Sequence, residues 1–99
     1  MWVLQTSEDS RDLGIFTFRL ASGAIKTIGR ATGADFVIDT ALVSRLHCRV
    51  SVSSAGHLLV EDLESTNGTF VNDRRVRRSA LVAGDRLRLG RIELDVKDE

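Results

Sequence analysis

An all-β fold, an antiparallel β-sandwich, is what this sequence predicts, and three observations carry the prediction. Apolar and polar residues alternate at period two along most of the chain. Turn signals built on glycine, asparagine and serine interrupt the alternation at short intervals. Helical 3.6-residue periodicity is absent over any useful length. Many short strands at regular spacing are the pattern of a sandwich.

The strands are read in chain order. Trp2 to Leu4 is a first short apolar run. Phe16, Phe18 and Leu20 then alternate with Ile15, Thr17 and Arg19. Ile25 to Ile28 and Phe36 to Ile38 follow, separated from their neighbours by Ser22-Gly23 and Thr32-Gly33. Cys48, Val50 and Val52 alternate with His47, Arg49 and Ser51, a pattern that buries one face and solvates the other. Leu58 to Val60 lies beyond the Ala55-Gly56 turn, and Phe70 to Val71 lies beyond Asn67-Gly68. Past the turns Asn72-Asp73 and Ala83-Gly84-Asp85, Leu87 and Leu89 interleave with Arg86, Arg88 and Gly90. Ile92, Leu94 and Val96 interleave with Arg91, Glu93 and Asp95.

A chain of 99 residues is one domain by length, assigned to residues 1–99. With 42% hydrophobic residues it buries a single core, a modest one by surface-to-volume scaling. Fourteen basic and fourteen acidic side chains cancel, which argues against general nucleic-acid binding. The cancellation is uneven, since Arg74, Arg75, Arg77 and Arg78 form a basic knot, read first as a solvated hairpin. The single cysteine, Cys48, has no internal disulfide partner and is expected as a reduced core residue. The amino terminus lacks the features of a signal peptide, and no run reaches the roughly 18 apolar residues of a membrane span. These features predict a soluble, cytoplasmic protein.

Three turn segments stand out: Gly29-Arg30, Ser44-Arg45-Leu46-His47 and Ser65-Thr66-Asn67-Gly68-Thr69. Together they collect two guanidinium groups, several hydroxyls and an amide, an inventory for holding a small oxyanion. A phosphate carries about −1.5 to −2 charge near neutral pH and offers several acceptor oxygens, so it suits arginines and hydroxyl donors. Taken alone, each piece has a plainer reading. Arg30 is a surface arginine, Ser44 satisfies a nearby backbone group, and Asn67-Gly68 makes a tight turn with positive φ. A hydrolytic reading, with Ser44 as nucleophile, His47 as base and Asp35 or Asp39 as orienting acid, lacks the strained strand-to-helix elbow such chemistry uses. One thiol and two scattered imidazoles, His47 and His57, make a poor zinc set, so no metal or other cofactor is expected.

Read together and in order, the Gly-Arg, Ser-x-x-His and Asn-Gly segments resemble the forkhead-associated (FHA) domain, a module that binds phosphothreonine peptides. The resemblance covers Trp2 to Val96. It implies a β-sandwich with phosphopeptide-binding loops at one end, and no catalysis. It further implies that Arg30, Ser44 and Thr66 contact the phosphate, that Arg45 adds a second planar fork, and that Asn67 bonds the peptide backbone. Ser65 is a weaker candidate for the same cluster. Gly29, His47 and Gly68 would support the site, His47 by bracing the Ser44 loop. The resemblance also implies that Leu42, two places before Ser44, helps to read the peptide residue three places after the phosphothreonine. The expected partner is a threonine-phosphorylated protein in a Ser/Thr kinase pathway. Two alternatives remain: a phosphate-independent interaction module on the same sandwich, and a small nucleic-acid-binding β domain using Arg74 to Arg78.

Overall fold

Period-two segments pair through their backbones and turn their apolar faces together, and in this computed structural model, which describes residues 1–99, they form two sheets. The strands are β1 (Trp2–Thr6), β2 (Thr17–Leu20), β3 (Ile25–Gly29), β4 (Phe36–Val37), β5 (Cys48–Val52) and β6 (Leu58–Asp62), then β7 (Thr69–Val71), β8 (Arg74–Val76), β9 (Arg78–Leu81), β10 (Arg86–Leu89) and β11 (Ile92–Asp98). One sheet has six strands in the order β2-β1-β11-β10-β7-β8; the other has five, in the order β4-β3-β5-β6-β9.

The core lies between the sheets. Leu4, Leu89 and Leu94 enter it from the six-stranded sheet, and Ile28, Val50 and Val60 from the other; all six are fully buried. Burying one such side chain contributes about 1.5–3 kcal/mol. Along β5 the burial alternates as the pattern requires, with Cys48, Val50 and Val52 inside and Arg49 exposed. Burial in apolar surroundings pushes the Cys48 thiol far up from its ordinary value, so it is an inert core group. Phe18 of β2 stacks on Phe36 of β4 at 4.4 Å between ring centroids, joining edge strands of the two sheets.

Three features depart from the sequence reading. A short 3-10 helix spans Glu8–Leu13, where six residues are too few to show a period; buried Ser10 accepts the Glu93 amide at 3.0 Å. All strand pairings are antiparallel except that of β3 with β4, which run parallel. The link between them doubles back and is stapled by Asp35, whose carboxylate accepts the Thr27 amide at 2.9 Å. Finally, the basic knot is a solvated hairpin only in its first half. Arg74–Val76 pairs with β7 across the turn Asn72-Asp73, both residues at positive φ, as a two-residue hairpin turn of the primed type requires. The chain then crosses at Arg77 and continues as β9 in the other sheet, paired with β6. The run from Arg74 to Arg78 has no apolar alternation to announce either strand, and all four arginines are exposed. No helix is long and apolar enough to cross a membrane.

Candidate functional site

Strand direction decides which loops meet. The end of β3 lies beside the start of β5 (Ile28 opposite Cys48), and the start of β5 lies beside the end of β6 (Cys48 opposite Asp62). The segments after β3, before β5 and after β6 therefore emerge at one end of the sandwich. Arg30, Ser44, Arg45, Thr66 and Asn67 come together there around one open cleft of about 540 Å³, completed by Leu42, Val43, Leu46 and Glu64.

The cleft is organised by backbone contacts. The Arg30 amide donates to the Ser44 carbonyl at 2.9 Å, and the Ala31 amide to the Arg45 carbonyl at 3.1 Å. This approach is possible because Gly29 has no side chain: a Cβ there would collide with the Arg45 carbonyl oxygen. The Arg30 Nε–H donates to the Val43 carbonyl at 3.1 Å, which orients the guanidinium while the residue stays exposed.

His47, fully buried, joins two of the loops. Its Nδ1 accepts the Ser44 amide at 3.0 Å, and its Nε2 lies 2.8 Å from the Gly68 carbonyl oxygen. A carbonyl only accepts, so Nε2 carries the proton and the ring is the neutral tautomer. Burial lowers the His47 pKa from its ordinary 6.5; the Gly68 bond and the Asp62 charge oppose that shift without cancelling it. Both ring nitrogens are thus occupied by backbone, and neither addresses the Ser44 hydroxyl.

The Ser44 hydroxyl oxygen accepts the Thr66 amide at 3.0 Å. Its own proton has no acceptor within the domain and is available to an oxyanion. Asn67 closes the far side by donating its side-chain N–H to the Leu42 carbonyl at 3.0 Å. Leu42 holds φ 73 and Glu64 φ 56, both in the left-handed region that costs an L-residue free energy. Gly68, at φ +91, occupies a similar region at no steric cost.

Two residues take parts that sequence reasoning missed. Ser65 is buried, not presented to the cleft: its hydroxyl donates to Asp62 at 2.6 Å and accepts the Gly68 amide at 2.9 Å. Asp62 also accepts the Thr69 hydroxyl at 2.7 Å and the Ser65 amide at 3.2 Å. Burial alone would raise the Asp62 pKa, but the Ser65 and Thr69 hydroxyls outweigh it and hold the carboxyl below its ordinary 3.8. The signal for this brace was an aspartate three residues before a serine, a spacing at which carboxylates bond local backbone. Asp35, the proposed orienting acid of a hydrolytic site, is engaged with Thr27.

The FHA domain family matches residues 26–90. An ABC transporter ATP-binding/permease protein of Mycobacterium tuberculosis is 41% identical over 86% of this chain and 10% of its own length. The FHA domain-containing protein FhaA of the same organism is 40% identical over 82% of this chain and 15% of its own. The chain therefore spans a small part of these curated relatives. Among solved structures, the FhaA FHA domain complexed with the intracellular domain of Rv3910 superposes with a TM-score of 0.84 at 35% identity, covering 98% of this chain and 100% of that one. The FHA domain of the CT664 protein from Chlamydia trachomatis gives 0.89 at 27% identity, covering 99% and 97%. An FHA domain solved for its phosphothreonine-dependent interactions gives 0.85 at 35% identity, covering 99% and 96%. On its sequence, its two-sheet architecture and these matches, the chain belongs to the FHA-domain family of phosphothreonine-binding interaction modules.

Proposed function

We propose that this domain binds a threonine-phosphorylated segment of a partner protein at the cleft between the 30–31, 42–47 and 64–68 segments, and performs no chemistry on it. The observation that carries the reading is the Ser44 hydroxyl, whose oxygen is held by the Thr66 amide while its proton faces no internal acceptor. Arg30 and Arg45 bring two guanidinium groups to the same cleft, and Thr66 brings a further hydroxyl. Guanidinium and hydroxyl donors meet the charge and the acceptor oxygens of a phosphate. Asn67 lies beside them to take the peptide backbone, and His47, Gly29 and Gly68 hold the loops in place.

The absence of chemistry is supported by hydrogen bonding. A serine nucleophile needs a base within reach, and both His47 nitrogens are committed to backbone partners. The relatives solved with a protein partner or for phosphothreonine-dependent interactions favour the same class of ligand. A partner marked by a Ser/Thr kinase, met in a reducing intracellular compartment, fits the buried free thiol of Cys48. Each charge-assisted bond contributes about 1.5–3 kcal/mol net, and ordering an extended peptide offsets much of it. The expected dissociation constant is of the order of micromolar.

Calorimetric titration with paired phosphothreonine and unphosphorylated peptides tests the proposal. Binding of the phosphorylated member alone supports it. Equal binding of both would identify a phosphate-independent interaction module.

A further inference from the structure

The site just described leaves the run from Arg74 to Arg78 unused. Arg19 and Arg49 pair with Glu99 and Glu61, and Arg86 and Arg88 both face Asp73 at 3.8 Å. Arg74, Arg75, Arg77 and Arg78 are exposed, and none makes a side-chain hydrogen bond or ion pair within the domain. Four unpaired positive charges thus sit within five residues of a chain whose net charge is zero. Protection of a sheet edge accounts for a charge on an edge strand, but the other edges manage with less. Strand β2 carries Arg19 alone, already paired, and β4 carries no charge.

Position gives the run its meaning. The Arg75 guanidinium lies against Gly68: a Cβ there would come within 2.7 Å of the Arg75 Nε. The Arg77 carbonyl accepts the Asp62 amide at 2.8 Å, which ties the run to the base of the 63–68 loop. Arg77 and Arg78 share a second cleft with the carboxylates of Glu61, Asp62 and Glu64, none of them within ion-pair distance of either arginine, and Glu64 also lines the first. Arg75, Arg77 and Arg78 thus adjoin the rim of the candidate phosphate site, and Arg74 extends the run along β8.

Resting on the function proposed above, we infer that Arg74, Arg75, Arg77 and Arg78 receive an acidic flank of the same phosphorylated segment. The chemistry is anionic: aspartate and glutamate carboxylates, or further phosphates on neighbouring residues. Such contacts are solvent-exposed, so each is weak and screened by salt, and the effect is their sum.

The experiment compares phosphothreonine peptides with a neutral flank, with an acidic flank before or after the phosphothreonine, and with a second phosphoserine on either side. Affinities are measured by fluorescence anisotropy at low and high salt. The wild-type domain should bind an acidic or doubly phosphorylated member about tenfold more tightly than the neutral one at low salt. The variant with Arg74→Gln, Arg75→Gln, Arg77→Gln and Arg78→Gln should lose that preference and keep its affinity for the neutral peptide. The four arginine-to-lysine changes should retain most of it, and a melting curve of each variant checks that it is folded. Equal wild-type affinity across the peptides, or a preference unchanged in the glutamine variant, overturns the inference while leaving the phosphothreonine site standing. Failure to bind any phosphopeptide overturns both. Steeply salt-dependent oligonucleotide binding that needs the four arginines, without a preference among peptides, replaces the inference with nucleic-acid binding.

Discussion

The Thr66 amide donates to the Ser44 hydroxyl oxygen at 3.0 Å, a bond between loops 22 residues apart in sequence. Ser44 therefore reaches the cleft already oriented, its lone pair used and its proton free. Ordering done during folding is not repeated on binding, so the site meets its ligand at reduced entropic cost. His47 does the same for the backbone beneath, tying the Ser44 amide to the Gly68 carbonyl.

Arg30→Ala is expected to weaken phosphopeptide binding about 10- to 150-fold and leave the fold nearly unchanged. The residue is exposed, and its one internal bond, to the Val43 carbonyl, is at the surface. Loss of a charge-assisted contact at about 1.5–3 kcal/mol corresponds to that range. Affinity within a few-fold of wild type by calorimetry would remove Arg30 from the site.

His47→Ala should lower both stability and affinity. It leaves the Ser44 amide and the Gly68 carbonyl without partners in a buried position and opens a cavity. The combined cost is about 3 kcal/mol, a fall in Tm of the order of 15 °C. Unchanged melting with lost binding would make His47 a direct ligand.

His47 also gives a pH dependence. Its folded pKa lies below the ordinary 6.5, so between the two values the unfolded chain binds more protons. Stability is full above pH 6.5 and falls as the pH drops from there towards the folded value. Asp62, held below 3.8, adds a separate loss only on acidification below about that value. Urea titrations from pH 7.5 to 5 should show the first decline, and His47→Gln should flatten it.

Glu64→Gly should stabilise the domain by about 1 kcal/mol, because a left-handed φ of 56 strains glutamate and not glycine. It also removes a carboxylate from the rim of the cleft, so affinity for a neutral-flanked phosphopeptide should rise several-fold. Denaturant midpoints and calorimetry report the two effects independently. A lower midpoint would show that the Glu64 side chain stabilises the loop.

Leu42 is expected to favour an aliphatic residue over aspartate three places after the phosphothreonine. It lines the cleft, about half exposed, and a carboxylate desolvated against it finds no compensation. A degenerate phosphothreonine library reads this preference directly. Leu42→Arg should shift selection towards aspartate, and no shift would place Leu42 outside the pocket.

Much of this protein is legible along the chain. Period-two alternation announced β2, β5, β10 and β11, because a residue's face in a strand is set by parity, and short apolar runs between turn signals announced β1, β3, β4, β6 and β7. The three turn segments were visible for a similar reason, since glycine, asparagine and serine there answer to local backbone demands. What the tertiary structure alone decided is who meets whom. β8 and β9 were hidden because Arg74, Arg75, Arg77 and Arg78 leave no apolar alternation in the sequence there, and the 3-10 helix because six residues hold no period. Ser65, a weaker candidate for the phosphate cluster on sequence, is a buried brace on Asp62; a hydroxyl's role depends on which acceptor folding brings to it. The pairing of β3 with β5 and β5 with β6 places Arg30, Ser44 and Thr66 at one end. That convergence is a property of topology, which no local pattern encodes.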